Sequence, residues 1–174
     1  ATSATSIAEN AGSSLTLTAT LSVATTADVT VALSTSGTAT EGTDYTDGSG
    51  NIDDIVISAG STTGTVSFTP TDDSLYDASS NETATIAISG VSGGSASESG
   101  TQTVTITITD NESAPTVTLA TSGTSIAENS VSTLTLTATL SVATYQDVTV
   151  SIGSSGTATE GTDYGTVSDI TISA

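Results

Sequence analysis

Two segments of this chain repeat each other at a separation of 119 residues. Ile7–Asn10 (Ile-Ala-Glu-Asn) returns as Ile126–Asn129 (126 − 7 = 119), and the nine residues Gly37–Tyr45 return letter for letter as Gly156–Tyr164. A long repeat period of this fidelity indicates tandem domains rather than one globular enzyme. The fold must therefore be sought within one period of the repeat.

Apolar residues alternate with Thr or Ser throughout each copy, as in Leu15–Leu21. This period of two is typical of half-buried strands, and Gly, Asn, Asp and Ser separate the runs at the short spacing of a β-sandwich. No window has a helical period. One repeat predicts about seven strands, near residues 13–23, 28–35, 51–58, 63–69, 82–90 and 101–109, with the seventh visible only in the second copy as Val117–Leu119.

The repeat offset also predicts the domain boundaries. Residues 1–112 read as one repeat and residues 113–174 as the first half of a second, joined through the short linker Asp110–Pro115. We therefore expect an all-β chain of tandem seven-stranded antiparallel sandwiches.

The ends of the chain fall inside the repeat pattern. Ala1 aligns with Ala120, so the first copy is expected to lack its opening strand, and Ala174 aligns with Ala59, so the second is expected to lack its last three strands. A half domain cannot bury its sheet faces alone. We expect either a window cut from a longer array, or chains that complete one another by strand addition.

The charge balance excludes several classes of function. The chain has 19 acidic residues, no Lys, Arg or His, and a formal charge of −19. Nucleic acid is excluded as a partner because phosphate binding needs basic side chains. Catalysis is disfavoured because the usual bases and nucleophiles His, Cys and Lys are absent. No stretch has the length of a transmembrane helix, so membrane insertion is not expected.

Carboxylates cluster where strands begin or end. Because strand ends of the same polarity meet at one edge of a sandwich, acids from several loops can converge there. Calcium takes six to eight oxygen ligands in flexible geometry, and such a cluster repels itself without a cation. The acids in question are Glu9, Asp44, the run Asp72–Asp77 and the run Asp110–Glu112.

Four motifs in order resemble the Calx-beta domain, named for the regulatory domains of sodium–calcium exchangers and found also in large bacterial surface proteins. They are Ala-Glu-Asn before a strand, Gly-Thr-Ala-x-x-Gly-x-Asp-Tyr, Asp-Asp-x-x-x-Asp after a strand, and a closing strand that ends in Asp-Asn-Glu. The resemblance covers the whole chain. It implies an immunoglobulin-like β-sandwich that holds calcium at these motifs.

Carried across residue by residue, the resemblance implies a set of calcium ligands. Exchanger domains often close on three consecutive acids, whereas Asn111 is the middle residue here, which implies fewer ions or weaker binding. The implied ligands are Glu9, Asp44, Asp72, Asp73, Asp77 and Asp110, with oxygen from Asn111 or Glu112, and Glu128 and Asp163 in the second copy.

Other interpretations stay open for individual residues. Asp44 is equally a turn former, and Tyr45 and Tyr164 are expected to pack rather than to function. Two glycosylation sequons begin at Asn81 and Asn111, and the many Ser and Thr residues offer sites for O-linked sugars. Asp28, Asp53, Asp54, Glu82 and Glu98 are expected to be solvated surface charges, and Glu41 and Glu160 exposed loop acids.

These observations predict a calcium-binding structural repeat of an extracellular filament or cell-surface rod, secreted and bacterial. The expected partners are neighbouring repeats and identical chains, since identical copies present identical surfaces. The alternatives are the stalk of a bacterial adhesin and a calcium-sensing regulatory domain.

Overall fold

The computed structural model describes residues 1–77 and 81–174, which divide into two compact units. Unit 1 comprises Ala1–Asp73 and Ser79–Asn111, and unit 2 comprises Ser74–Ala78 and Glu112–Ala174. The described residues form strands and no helix, so the predicted all-β class is confirmed. Within this part of the chain there is accordingly no helix with the length and apolarity to cross a membrane.

Unit 1 is a sandwich of two sheets. The larger sheet has the strand order β1-β9-β8-β3-β5, and the smaller has the order β2-β6-β4. All neighbouring strands are antiparallel except β1 and β9, which run parallel. The strands are β1 (Ser6–Ala8), β2 (Leu15–Thr20), β3 (Val29–Gly37), β4 (Tyr45–Thr46), β5 (Ile55–Ile57), β6 (Thr63–Pro70), β8 (Asn81–Ser92) and β9 (Thr103–Thr109).

The core of unit 1 lies between the two sheets. The alternation in each strand sends every second apolar side chain inward, so both sheets contribute buried residues. Phe68 on β6 is fully buried and stacks on Tyr45, with 4.6 Å between ring centroids and 20° between ring planes. The pKa of the Tyr45 hydroxyl is raised, chiefly by burial. Tyr45 is therefore a packing residue, in agreement with the sequence interpretation.

The start of the chain passes from one sheet to the other. Thr2 bridges to Leu17 on β2 of the smaller sheet, and Ser6–Ala8 then forms β1 beside β9 of the larger sheet. The expectation that the first copy lacks its opening strand, the counterpart of Val117–Leu119, stays a prediction, and β1 is a separate element that the sequence pattern did not indicate. Strand β1 spans three residues, too short for an alternating run to reveal it, and it is held by burial of Ile7 against the core.

Unit 2 repeats part of this pattern. Strand β10 pairs with β11, and β13 pairs with β14 in the register of β3 and β5, since Val148 faces Ile172 as Val29 faces Ile57. A further short strand, β7, joins unit 2 by pairing in parallel with β12. The strands are β7 (Leu75–Tyr76), β10 (Val117–Thr121), β11 (Leu136–Leu140), β12 (Ala143–Thr144), β13 (Val148–Val150) and β14 (Ile170–Ile172).

The apolar residues of unit 2 are far more exposed than their counterparts in unit 1. Leu136 is 37% exposed, whereas Leu17, which precedes it by 119 positions, is 3% exposed. The cause is the set of strands available for packing, because residues 113–174 contain no counterparts of β6, β8 and β9. The same shortage explains why β13 spans three residues while β3 spans nine.

Truncation of the central aromatic side chain should destabilise unit 1. We expect Phe68→Ala to lower the free energy of unfolding by about 3–5 kcal/mol, because it removes a fully buried ring and leaves a cavity against Tyr45. Urea denaturation followed by circular dichroism measures this. Tyr145→Ala, at a position that is 50% exposed, is the matched aromatic control. Equal losses in the two variants would contradict this description of the core.

Candidate metal site

The candidate site lies at the edge of unit 1 where β1 and β9 end. Because these strands are parallel neighbours, Glu9 and Asp110 leave the sheet at the same edge. The Glu9 N–H donates to the Thr109 carbonyl (3.1 Å), and Glu9 Oε1 accepts the N–H of Asn111 (3.1 Å). These two contacts fix the position of the Glu9 carboxylate beside the chain that follows β9.

A second carboxylate reaches this point from the smaller sheet. Asp72 follows β6, and one of its oxygens lies within 4.8 Å of a Glu9 carboxylate oxygen. Two oxygens that share one calcium at 2.3–2.6 Å can lie at most about 5 Å apart, so this pair fits the ion. The sequence contains no basic side chain that could offset the two charges. Glu9 and Asp72, predicted from separate motifs, are thus brought together.

Asp44 uses its carboxylate within its own turn. Its Oδ2 accepts the N–H of Thr40 (2.6 Å), and the same contact recurs in the second repeat, where Asp163 accepts the N–H of Thr159 (2.7 Å). The Asp44 carbonyl accepts the N–H of Thr71 (2.9 Å), which places this turn next to Asp72 in the chain. The turn-forming interpretation describes these contacts, and the ligand role of Asp44 and Asp163 stays a prediction.

Glycine makes the repeated turn possible. Gly42 and Gly161 have φ of 83° and 82°, a conformation that side-chain-bearing residues rarely adopt. Gly37, which opens the repeated segment, lies so close to β8 that an added Cβ would sit 2.0 Å from the Thr83 carbonyl oxygen. Gly37 and Gly42 therefore have a backbone role that is independent of calcium.

The remaining predicted ligands differ in burial and in the unit to which they belong. Asp73 is exposed beside Asp72, and Asp110 is half-buried where β9 ends. Asp77 and Glu112 belong to unit 2 and are half-buried. Glu128 is exposed and lies outside the strands of unit 2. The ligand roles of these five residues stay predictions.

Glu41 and Glu160 have a structural role that the sequence interpretation missed. Glu41 is half-buried and accepts hydrogen bonds from Thr35 Oγ1 (2.8 Å) and the Ile52 N–H (2.6 Å). The expectation of an exposed loop acid is therefore wrong for Glu41. Its carboxylate ties the end of β3 to the loop before β5. The sequence feature that indicates this role is the position of Glu41 inside the repeated nine-residue segment Gly37–Tyr45.

Glu160 makes the equivalent contacts in unit 2. It is exposed, as expected, but it accepts hydrogen bonds from Ser154 Oγ (2.8 Å) and the Val167 N–H (2.7 Å). The pKa of Glu160 is lowered, first by the Val167 N–H and then by the Ser154 hydroxyl.

Asp28 and Asp54, which are expected to be solvated surface charges, also accept hydrogen bonds from backbone N–H groups. Asp28 Oδ1 accepts the N–H of Ala59 (2.8 Å), and Asp54 Oδ1 accepts the N–H of Leu33 (3.0 Å). Unit 2 repeats both contacts, with Asp147 accepting from Ala174 (2.9 Å) and Asp169 accepting from Ile152 (3.0 Å). Asp28 and Asp54 are exposed, as expected, but they link neighbouring segments of the larger sheet.

The chain matches a known domain family along nearly its whole length. Residues 2–112 and 110–171 match the family model of the Calx-beta domain. The chain belongs to the Calx-beta domain family. Among solved structures, the crystal structure of CBD12 from CALX1.2 aligns with 83% of this chain and 73% of its own length, at 15% sequence identity and a TM-score of 0.49. None of the curated proteins matches the chain.

The glutamate contacts should make the second Calx-beta repeat sensitive to acid. A lowered pKa in the folded state means that Glu160 contributes stability above its ordinary pKa of 4.5, and that this contribution is lost as pH falls through the lowered value. We expect the NMR chemical shift of the Val167 amide proton to change as the pH falls below 4.5 and Glu160 becomes protonated. In the Glu160→Gln variant this pH dependence should disappear. An unchanged titration in that variant would show that another group causes it.

Proposed function

We propose that this chain is a calcium-binding structural segment of an extracellular filament or cell-surface rod, and that it has no catalytic role. The observation that carries the proposal is the pair of Glu9 and Asp72, whose carboxylate oxygens lie within 4.8 Å of each other in a chain without a basic residue. Membership of the Calx-beta family supports calcium as the ion.

The residues proposed to hold calcium are Glu9 and Asp72, with further oxygens from Asp73 and Asp110. The Asn111 N–H is bonded to Glu9, and Glu112 is the next acid in the sequence. Bound calcium would supply positive charge that offsets the repulsion between these carboxylates. The protein's part is to hold Glu9 in place through the ladder of β1 and β9.

The proposed ligands stand at the places where the chain leaves unit 1. Unit 1 ends its first segment at Asp73 and its second at Asn111, so both acidic runs continue directly into residues of unit 2. An ion held at these runs would restrain both connecting segments at once. We infer that this restraint is how calcium stiffens the array.

The same ion would stabilise the fold by mass action. A ligand that binds only the native state at 100 times its dissociation constant adds about 2.7 kcal/mol to the free energy of unfolding. Weak sites of this kind suit the millimolar calcium outside cells. The high Ser and Thr content and the charge of −19 support a soluble, extracellular repeat.

Calcium should raise the melting temperature through Glu9 and Asp72. We expect millimolar calcium to raise the melting temperature of the wild-type chain relative to excess chelator, and the double variant Glu9→Gln, Asp72→Asn to lose most of that rise. The matched control is Asp53→Asn, Glu98→Gln, which removes the same charge from two exposed acids of unit 1. Differential scanning calorimetry measures all three chains. An equal calcium response in both double variants would disprove the site.

Calcium should also narrow the range of arrangements that the chain adopts in solution. Small-angle scattering with calcium and with chelator compares the distributions of interatomic distances. We expect the distribution to sharpen with calcium in the wild-type chain and in the Asp53, Glu98 control, but not in the Glu9, Asp72 variant. Stabilisation without any change in scattering would support binding and contradict stiffening.

A further inference from the structure

Strand β12 of unit 2 pairs with a segment that belongs to the first sequence repeat. Leu75 stands opposite Ala143 and Tyr76 stands opposite Thr144, in a parallel pair. The first two residues precede the linker between the repeats, whereas the other two follow it, and all four belong to unit 2. Unit 2 therefore contains a strand that comes from the other repeat.

The sequence of β12 does not form a strand by itself. Ser22–Thr25 has the same four residues as Ser141–Thr144, but in the described part of unit 1 it carries no strand. In unit 2 the neighbour of β12 is β7, in a sheet of two strands. The formation of β12 therefore depends on the arrival of β7.

The burial of the residue before β12 indicates the same dependence. Aliphatic residues of unit 2 are in general more exposed than their counterparts, as when Val148 is half-buried and Val29 is fully buried. Val142 reverses this trend, because it is half-buried whereas its counterpart Val23 is 68% exposed. Since β7 pairs at the very next residue, we attribute the added cover of Val142 to β7.

The two copies differ in sequence directly beside this pair. Residues 15–31 and 134–150 are identical except at two consecutive positions. Both positions come immediately after the two residues of β12 that pair with β7. The differences are Thr26 against Tyr145 and Ala27 against Gln146.

The backbone turn at this point does not require the difference. Thr144 Oγ1 donates to the Gln146 carbonyl (2.7 Å), and Thr25 Oγ1 donates to the Ala27 carbonyl (2.7 Å), so both copies form the same turn. The Tyr145 side chain is therefore not needed for the turn. A tyrosine supplies a large contact area with few rotatable bonds, which suits the recognition of another segment.

The distribution of tyrosines supports this interpretation. The chain has four of them, and two belong to the repeated turn that ends at Tyr45 and Tyr164. The other two are Tyr76, which lies in β7, and Tyr145, which directly follows β12. Every tyrosine outside the repeated turn thus lies at the β7–β12 pair.

We propose that β12 and Tyr145 form a capture site for Leu75–Tyr76, by which the second repeat recognises a strand of the first. Tyr145 is the specificity-determining residue, because it distinguishes the capturing copy from the otherwise identical segment of the first copy. Neighbouring repeats of nearly identical sequence are at risk of mispairing, and a local difference of this kind selects one pairing. The capture site includes neither Glu9 nor Asp72, so it goes beyond the calcium proposal.

The first test is a disulfide that reports the register. The chain contains no Cys, so in the variant Leu75→Cys, Ala143→Cys a disulfide forms only between the introduced residues. Neighbouring strands lie about 4.8 Å apart, which is within the Cα separation that a disulfide needs. In excess chelator and at low protein concentration, we expect this bond to form at least tenfold faster than in Tyr76→Cys, Ala143→Cys, where the residues are offset by one. Equal rates would overturn the pairing.

The second test exchanges the residues that differ between the copies. The variant Tyr145→Thr, Gln146→Ala gives the second copy the residues with which the first copy already forms the same turn. Chymotrypsin cleaves after large apolar and aromatic residues, and cleavage of a folded chain requires local opening. In excess chelator, we expect cleavage after Tyr76, followed by mass spectrometry, to be at least fivefold faster in this variant than in the wild type.

The matched control is the reverse exchange in the first copy. Thr26→Tyr, Ala27→Gln alters two exposed residues of unit 1 and should leave cleavage after Tyr76 at the wild-type rate. Cleavage after Tyr164, which lies outside the capture site, reports on general loosening of unit 2 and should stay constant in both variants. An unchanged rate after Tyr76 in the second-copy variant, or an equal rise after Tyr164, would overturn the role of Tyr145.

Discussion

The fold depends on hydrogen bonds to carboxylates, because the chain has no cationic side chain that could pair with them. Backbone N–H groups and hydroxyls donate these hydrogen bonds at most positions, as at Glu41, where Thr35 and Ile52 donate to the two carboxylate oxygens. The second repeat reproduces the arrangement at Glu160. The acids therefore act as internal links between loops and strands. Glu9 and Asp72 are set apart because their carboxylates approach each other, and this is where we propose that a cation from solution binds.

The second constraint is the completeness of the sandwich. Unit 1 has strands on both sides of its core, and Leu17 and Val31 are almost wholly buried. In unit 2 the same sequence pattern leaves its aliphatic residues exposed, since the residues present supply only part of each sheet. The contrast shows that the side chains of a strand become buried only when the other strands of both sheets are present, even when the strand's own sequence is the same.

Much of the fold could be predicted from the sequence because alternation over six or more residues is a strong signal. Strands β2 and β9 lie within the predicted runs, and β8 extends beyond its predicted run of 82–90 by one residue at its start and two at its end. Shorter elements could not be predicted. Strand β1 has three residues, and β7 has two and joins unit 2, a pairing that depends on contacts with β12 far along the chain. At the site, the convergence of Glu9 and Asp72 could be predicted from strand polarity. The sequence motif did not decide between a turn-forming role and a ligand role for Asp44, and its hydrogen bond with the Thr40 N–H is seen only in the structure.

A crystal structure of the chain grown with calcium, with data collected for anomalous scattering, tests the central claim most directly. We predict an anomalous peak at 2.3–2.6 Å from carboxylate oxygens of both Glu9 and Asp72, the range of calcium–oxygen bonds. A peak bound only by other acids, or no peak at millimolar calcium, would contradict the account. The two carboxylates would then be a solvated edge, and any stiffness of the array would have to come from packing.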